Sequence, residues 1–180
     1  AYARSNGGGS LAYPFALNGA TMYVKDNETI GQITGSGTLV VGNNASFSKD
    51  LTFGANVWIV SGGTFSINKN LQVGSNCVLY ATVGFNIAKD ADISIGIGNC
   101  ALITPGDIVV SKDLTMSGLM FASGTITTKK VATITGSLVA GQGFNIAKEA
   151  NLTYNASMLP TSVLPGFTPE ITLKNIFWRE

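Results

Sequence analysis

Apolar residues in this chain recur at every second position in short runs, and a lysine-centred polar step interrupts the runs at regular intervals. The near-duplicate octamers GFNIAKDA (residues 84–91) and GFNIAKEA (residues 143–150) agree at seven of eight positions. Anchoring on their lysine brings out six copies, at Lys49, Lys69, Lys89, Lys112, Lys130 and Lys148, spaced by 20, 20, 23, 18 and 18 residues. Four residues before each lysine stand Ala45, Phe65, Phe85, Ile108, Ile126 and Phe144; two before stand Phe47, Ile67, Ile87, Val110, Thr128 and Ile146. Two after come Leu51, Leu71, Ala91, Leu114, Ala132 and Ala150; four after come Phe53, Val73, Ile93, Met116, Ile134 and Leu152. Only Thr128 among these positions is polar.

Period-two apolarity predicts strands, since a helix needs apolar spacings of three and four. The apolar offsets share the parity of the lysine, so one straight strand would aim every lysine into the core. A column of buried ammonium groups is untenable. The chain therefore turns at each lysine, with Asp50, Asn70, Asp90, Asp113 or Glu149 following as corner residues. A period of roughly 18–22 residues holds three short strands and their corners, one turn of a parallel β-helix. The predicted fold is all-β: a single-stranded parallel β-solenoid of six or more coils.

Composition narrows the function. The chain has 180 residues, 45% hydrophobic and 12% charged, with 22 glycines and a formal net charge of +1, which suits one domain with a real core. It contains no histidine, which removes histidine-based acid–base chemistry and imidazole metal sites, and no cofactor is expected. No apolar run reaches the ~20 residues needed to span a bilayer. Residues 1–12 are expected to be a flexible lead-in, 13–160 the solenoid, and 161–180 a C-terminal cap or return strand carrying Phe177 and Trp178. Trp58 and Trp178 lie outside the lysine-anchored ladder and are expected at caps, with contact residues as the alternative. Sparse charge and abundant Thr, Ser, Asn and Gly suit a secreted or surface-exposed scaffold. Cys77 and Cys100 fall on successive coils, eight residues after Lys69 and eleven after Lys89. Either a disulfide or two buried thiols fits that placement.

The tandem coils, the stretch SLVAGQGFNIAKEANLTYNASMLP, the terminal FWRE and the opening YPFALNGATMYVKDNETIGQITGSG resemble the C-terminal solenoid region of PilX-like type IV pilus assembly proteins. That resemblance implies a minor pilin displayed at the bacterial cell surface, with other pilus subunits as partners and an apolar N-terminal helix that these residues do not include. Some relatives of that kind bind DNA, which directs attention to Lys49, Lys69, Lys89, Lys112, Lys129, Lys130 and Lys148 along one edge. Stacked at ~4.8 Å, like charges repel by about 0.8 kcal/mol even in water, so the column needs neutralising neighbours. Asp50, Asp90, Asp113 and Glu149 stand beside four of these lysines. The bland reading is a soluble corner; the sharper one is a stripe that tracks phosphates or a surface.

Three functions compete. The first is a non-enzymatic, adhesive or structural pilus-associated solenoid that contacts DNA, a cell or an abiotic surface. The second is a filament subunit that stacks end to end, as bactofilins do. The third, a polysaccharide lyase or hydrolase, is the weakest, because Asp90 and Asp92 form the sole close acidic pair and both arginines, Arg4 and Arg179, lie at the ends.

Overall fold

The computed structural model describes residues 2–4, 9–10, 15–47, 50–68, 70–88 and 100–158. They form a parallel β-solenoid with three faces per coil. Face A is a nine-stranded sheet of Tyr2–Arg4, Thr21–Val24, Gly37–Val41, Val57–Ser61, Cys77–Ala81, Cys100–Thr104, Leu114–Ala122, Ala132–Ala140 and Ala150–Tyr154, in that order. Face B is an eight-stranded sheet running from Gly9–Ser10 and Glu28–Thr29 through Ala45–Phe47, Thr64–Ile67, Gly84–Ile87, Asp107–Val110 and Thr125–Thr128 to Gly143–Ile146. Face C consists of short pairs, Phe15–Ala16 with Ile33–Thr34 and Leu51–Thr52 with Leu71–Gln72. In the later coils it merges with face A, in the strands Leu114–Ala122 and Ala132–Ala140.

The lysine alignment is the register of the structure. Ala45, Phe65, Phe85, Ile108, Ile126 and Phe144 are successive partners across face B. The strand Thr64–Ile67 belongs to face B and Leu71–Gln72 to face C, so the chain turns between them, across the lysine position. The parity argument required this. Inside, the column is aromatic: Phe47 meets Phe65 at 4.9 Å and Phe53 at 5.2 Å, and Phe65 stacks on Phe85 at 5.5 Å between ring centroids.

The change of spacing from 20 to 18 has a local cause at the corner between faces C and A. In the longer coils Gly54, Ala55 and Asn56 separate Phe53 from Val57. Asn56 and Asn76 turn this corner in the left-handed region, with φ of 57° and 58°, and the Asn76 Nδ2 donates to Asn56 Oδ1 at 2.7 Å. Asparagine tolerates that conformation better than most residues. In the shorter coils one residue, Ser117, lies between Met116 and Gly118, and the strand runs on through glycine at φ 131° in Gly118 and 138° in Gly136. A side chain on Gly118 would fall on the carbonyl oxygen of Cys100 in the preceding coil, and one on Gly136 would fall on that of Gly118.

Two sequence expectations change. Tyr2–Arg4 and Gly9–Ser10 pair in parallel with Thr21–Val24 and Glu28–Thr29, so strand pairing extends into the stretch expected to be a lead-in. The coil containing Glu28 has no lysine at its corner, which is why lysine anchoring passes over it; Glu28 itself takes the inner position opposite Ala45 and is 2% exposed. Trp58 is not at a cap but lies in the middle of face A, between Thr38 and Val78. The cap or return strand expected at 161–180 lies outside the described residues.

Two substitutions test this packing. Phe65→Ala removes the middle ring of the stack and is expected to lower the unfolding free energy by about 3–5 kcal/mol, measured by chemical denaturation. Thr128→Val should raise it by about 1–3 kcal/mol, because the Thr128 hydroxyl is buried in the column without a hydrogen-bond partner.

Candidate functional surfaces

The corners next to the lysines are built from side-chain oxygens that reach one coil onward. Asp50 Oδ1 accepts the amide of Asn70 at 3.0 Å, and Asp113 Oδ1 accepts that of Val131 at 3.1 Å. The corner between faces A and B repeats the device: Asn27 accepts from Asn44 at 3.0 Å, Asn44 from Thr64 at 2.8 Å and Asp107 from Thr125 at 2.7 Å. Each bond satisfies an amide that the tight corner removes from the sheet ladders. Asp50 and Asp113, which sequence reasoning assigned to neutralising lysines, thus couple coil to coil, while Asp90 lies outside the described residues. Glu149 differs, accepting from Asn151 Nδ2 at 3.0 Å within its own coil.

Lys112, Lys130 and Lys148 occupy equivalent positions in three consecutive coils, two residues beyond the partners Val110, Thr128 and Ile146. Lys112 is half-buried, while Lys129, Lys130 and Lys148 are exposed. Lys49, Lys69 and Lys89 lie outside the described residues. Three stacked cations span only about 10 Å at the ~4.8 Å rung spacing, a short polar edge interleaved with acids.

Cys77 and Cys100 are direct partners in face A, and both are buried free thiols. Of the two alternatives left by the sequence, the structure holds the thiols and not the disulfide. In-register side chains of parallel strands project the same way at about the rung spacing, wider than the ~3.8 Å between Cβ atoms that a disulfide prefers. Cys77 Sγ donates to the Gly54 carbonyl at 3.2 Å. Burial pushes both thiols up from the usual 9.0, Cys100 strongly, with the neighbouring Cys77 adding to its shift.

The outward sides of the three faces differ in chemistry. Face B shows mostly polar residues, in the column Ser46, Ser66, Asn86, Val109, Thr127 and Asn145. Face C shows Thr52 and Gln72, then Thr115, Thr133 and Asn151. Face A is apolar outside as well as inside. One outward column runs Trp58, Val78, Ala101, Leu119 and Ser137, and the next runs Val60, Tyr80, Ile103, Phe121 and Val139. Lysine anchoring missed this surface because it lies seven or more residues beyond the anchor, on the next long face of the coil. The signal was present in the unbroken apolar runs VWIV, CVLYA and GLMFA, which read as strands covered on both sides.

Among the described residues no group of three or more His, Cys, Asp or Glu side chains could hold a metal ion, and no helix is long and apolar enough to cross a membrane. The class that the geometry defines is the parallel β-solenoid. No family model, curated protein or solved structure matches the chain.

The thiols give a pH prediction. A raised pKa means that the folded state disfavours the thiolate, so their contribution to stability is complete below about pH 9 and is lost as pH rises beyond it. Denaturation midpoints should fall above pH 9.0, and Cys100→Ala should flatten that fall. A thiol reagent should find neither cysteine in the native chain and both after unfolding.

Proposed function

We propose that the chain is a non-enzymatic structural scaffold: a rigid solenoid displayed at a bacterial cell surface, of the kind that pilus-associated minor pilins present outward. The observation that carries this reading is the commitment of polar corner side chains to the stack. Asp50, Asp107, Asp113 and Asn44 each hold the next coil's amide, an arrangement suited to rigidity. The likeness of the repeats to pilus solenoids supports the location. In this reading the lysine column keeps one edge soluble.

Cell fractionation tests the proposal. The chain should co-sediment with filaments sheared from the surface of the source cells, and recovery in the cytoplasmic fraction alone would sink it. A DNA gel-shift assay addresses the lysines. No retention is expected at about 150 mM salt; retention there that disappears in Lys112→Gln/Lys130→Gln/Lys148→Gln would make the column a phosphate-tracking surface.

A second reading, a filament subunit that stacks end to end, is favoured by one specific observation. In the last described coil Phe144, Ile146, Leu152 and Tyr154 are 46%, 40%, 47% and 63% exposed. The first three hold positions that are core in earlier coils, and an open solenoid end of this composition is a template for another strand. If this reading is right, the weight-average mass of the pure chain from light scattering should rise with concentration, and Phe144→Lys/Leu152→Lys should hold it at the monomer mass. A chain that stays monomeric at high concentration would rule the reading out.

A further inference from the structure

Four Asn-x-Ser/Thr tripeptides, the acceptor pattern for an N-linked glycan, begin at Asn27, Asn44, Asn151 and Asn155. The stack treats them differently. Asn27 and Asn44 commit their Oδ1 atoms to the amides of Asn44 and Thr64 in the next coil. Their middle residues, Glu28 and Ala45, are buried, and their hydroxyls, on Thr29 and Ser46, bond to each other at 3.3 Å. Neither tripeptide can enter a transferase without breaking coil-to-coil bonds. Asn155 closes on itself, its Oδ1 accepting both the amide and the hydroxyl of Ser157, at 3.0 and 2.7 Å.

Asn151 stands apart. It lies in Ala150–Tyr154, the end strand of face A among the described residues, and Asn151, Leu152 and Thr153 are all exposed. Ala150 pairs with the buried Ala132, so Asn151, paired with Thr133, takes the outward side. Its carboxamide is already held: Nδ2 donates to Glu149 Oε1 at 3.0 Å. Of the four asparagines, it alone has an acid two residues before it. An amide nitrogen is a poor nucleophile because its lone pair is drawn into the carbonyl. A carboxylate on one of its N–H groups returns electron density to the nitrogen, and gives a basic peptide-binding groove a charge to hold.

We propose that Asn151 is a glycosylation site, the acceptor of an oligosaccharide carried on a polyprenyl diphosphate, with Glu149 as the residue that positions its carboxamide. Nδ2 attacks C1 of the first sugar and an N–C bond forms. The bond from C1 to the diphosphate oxygen breaks, its electron pair leaving on the polyprenyl diphosphate, and the proton lost from nitrogen passes to a carboxylate. In the cell this modification rests on the reading that the chain is exported. A bulky hydrophilic glycan here flanks Leu152 and Tyr154, 47% and 63% exposed, and screens that end of the solenoid from a second copy.

Incubating the purified full-length chain with a single-subunit bacterial oligosaccharyltransferase and a polyprenyl-diphosphate-linked oligosaccharide tests the site apart from the question of export. One glycan mass should appear on the tryptic peptide of residues 149–174. Asn151→Gln and Thr153→Ala should abolish it, while Thr153→Ser and Asn155→Gln keep it. Glu149→Gln should lower kcat/KM by about 10- to 100-fold, the worth of one hydrogen bond to a charged group, and Glu149→Asp should restore most of it. Absence of the glycan from the wild-type chain, or its persistence in Asn151→Gln, overturns the proposal. Equal rates for wild type and Glu149→Gln remove Glu149 from it. An unmodified Asn151 in chain recovered from sheared surface filaments also overturns it, whereas the export reading fails separately, by recovery in the cytoplasmic fraction alone.

Discussion

Hydrogen bonding between parallel rungs at a fixed spacing is the constraint from which the rest of the structure follows. Because each rung pairs in register with the next, every residue sits over its counterpart, and a choice made at one position is repeated along the whole stack. A polar residue at an inner position is placed in a polar column or is buried alone, as the Thr128 hydroxyl is. Rings stack on rings for the same reason, and so do asparagines at the corner of Asn56 and Asn76. The corners are where the ladder would fail, since a turning backbone loses sheet partners. There the side-chain oxygens of Asn and Asp take over the coil-to-coil bond.

Much of this was legible in the sequence, for a physical reason. Stacking converts spatial register into sequence period, so aligning lysines aligned Ala45, Phe65 and Phe85 as true neighbours. The parity of those positions places a corner at the lysine, between faces B and C. What escaped was what the lysine does not mark. The coil of Glu28 turns without a lysine, so lysine anchoring did not mark it. The apolar outer side of face A was missed because the alignment compared positions within four residues of the anchor, whereas Trp58, Val78 and Leu119 lie well beyond that window. Strand pairing of Tyr2–Arg4 could not be read from a glycine-rich stretch, since the neighbouring coil at Thr21–Val24 supplies the ordering.

The corner between faces C and A shows how a solenoid changes girth without losing register. Replacing the three residues Gly54–Ala55–Asn56 by Ser117 removes two positions, an even number, so the inward and outward sides of the following strand are preserved. The cost is a backbone at φ above 130° in Gly118 and Gly136. That cost is met by glycine, which has no Cβ to meet the carbonyl beneath it. The three extra residues between Lys89 and Cys100 lie in sequence before the register of Cys77 with Cys100 resumes, so they too leave the paired strands aligned.

The duplicated octamer makes the chain its own control experiment. The same sequence, GFNI, forms the face B strands Gly84–Ile87 and Gly143–Ile146, yet Phe85 is 2% exposed and Phe144 is 46% exposed. Residue type and face are the same, and among the described residues only Gly84–Ile87 has a strand paired on its far side, Asp107–Val110. For one ring that difference corresponds to about 2 kcal/mol of apolar burial. Hydrophobicity here does not by itself decide what is interior. Each coil's inside is conferred by the coil that follows it, so interior and surface are positions in a queue rather than properties of a sequence.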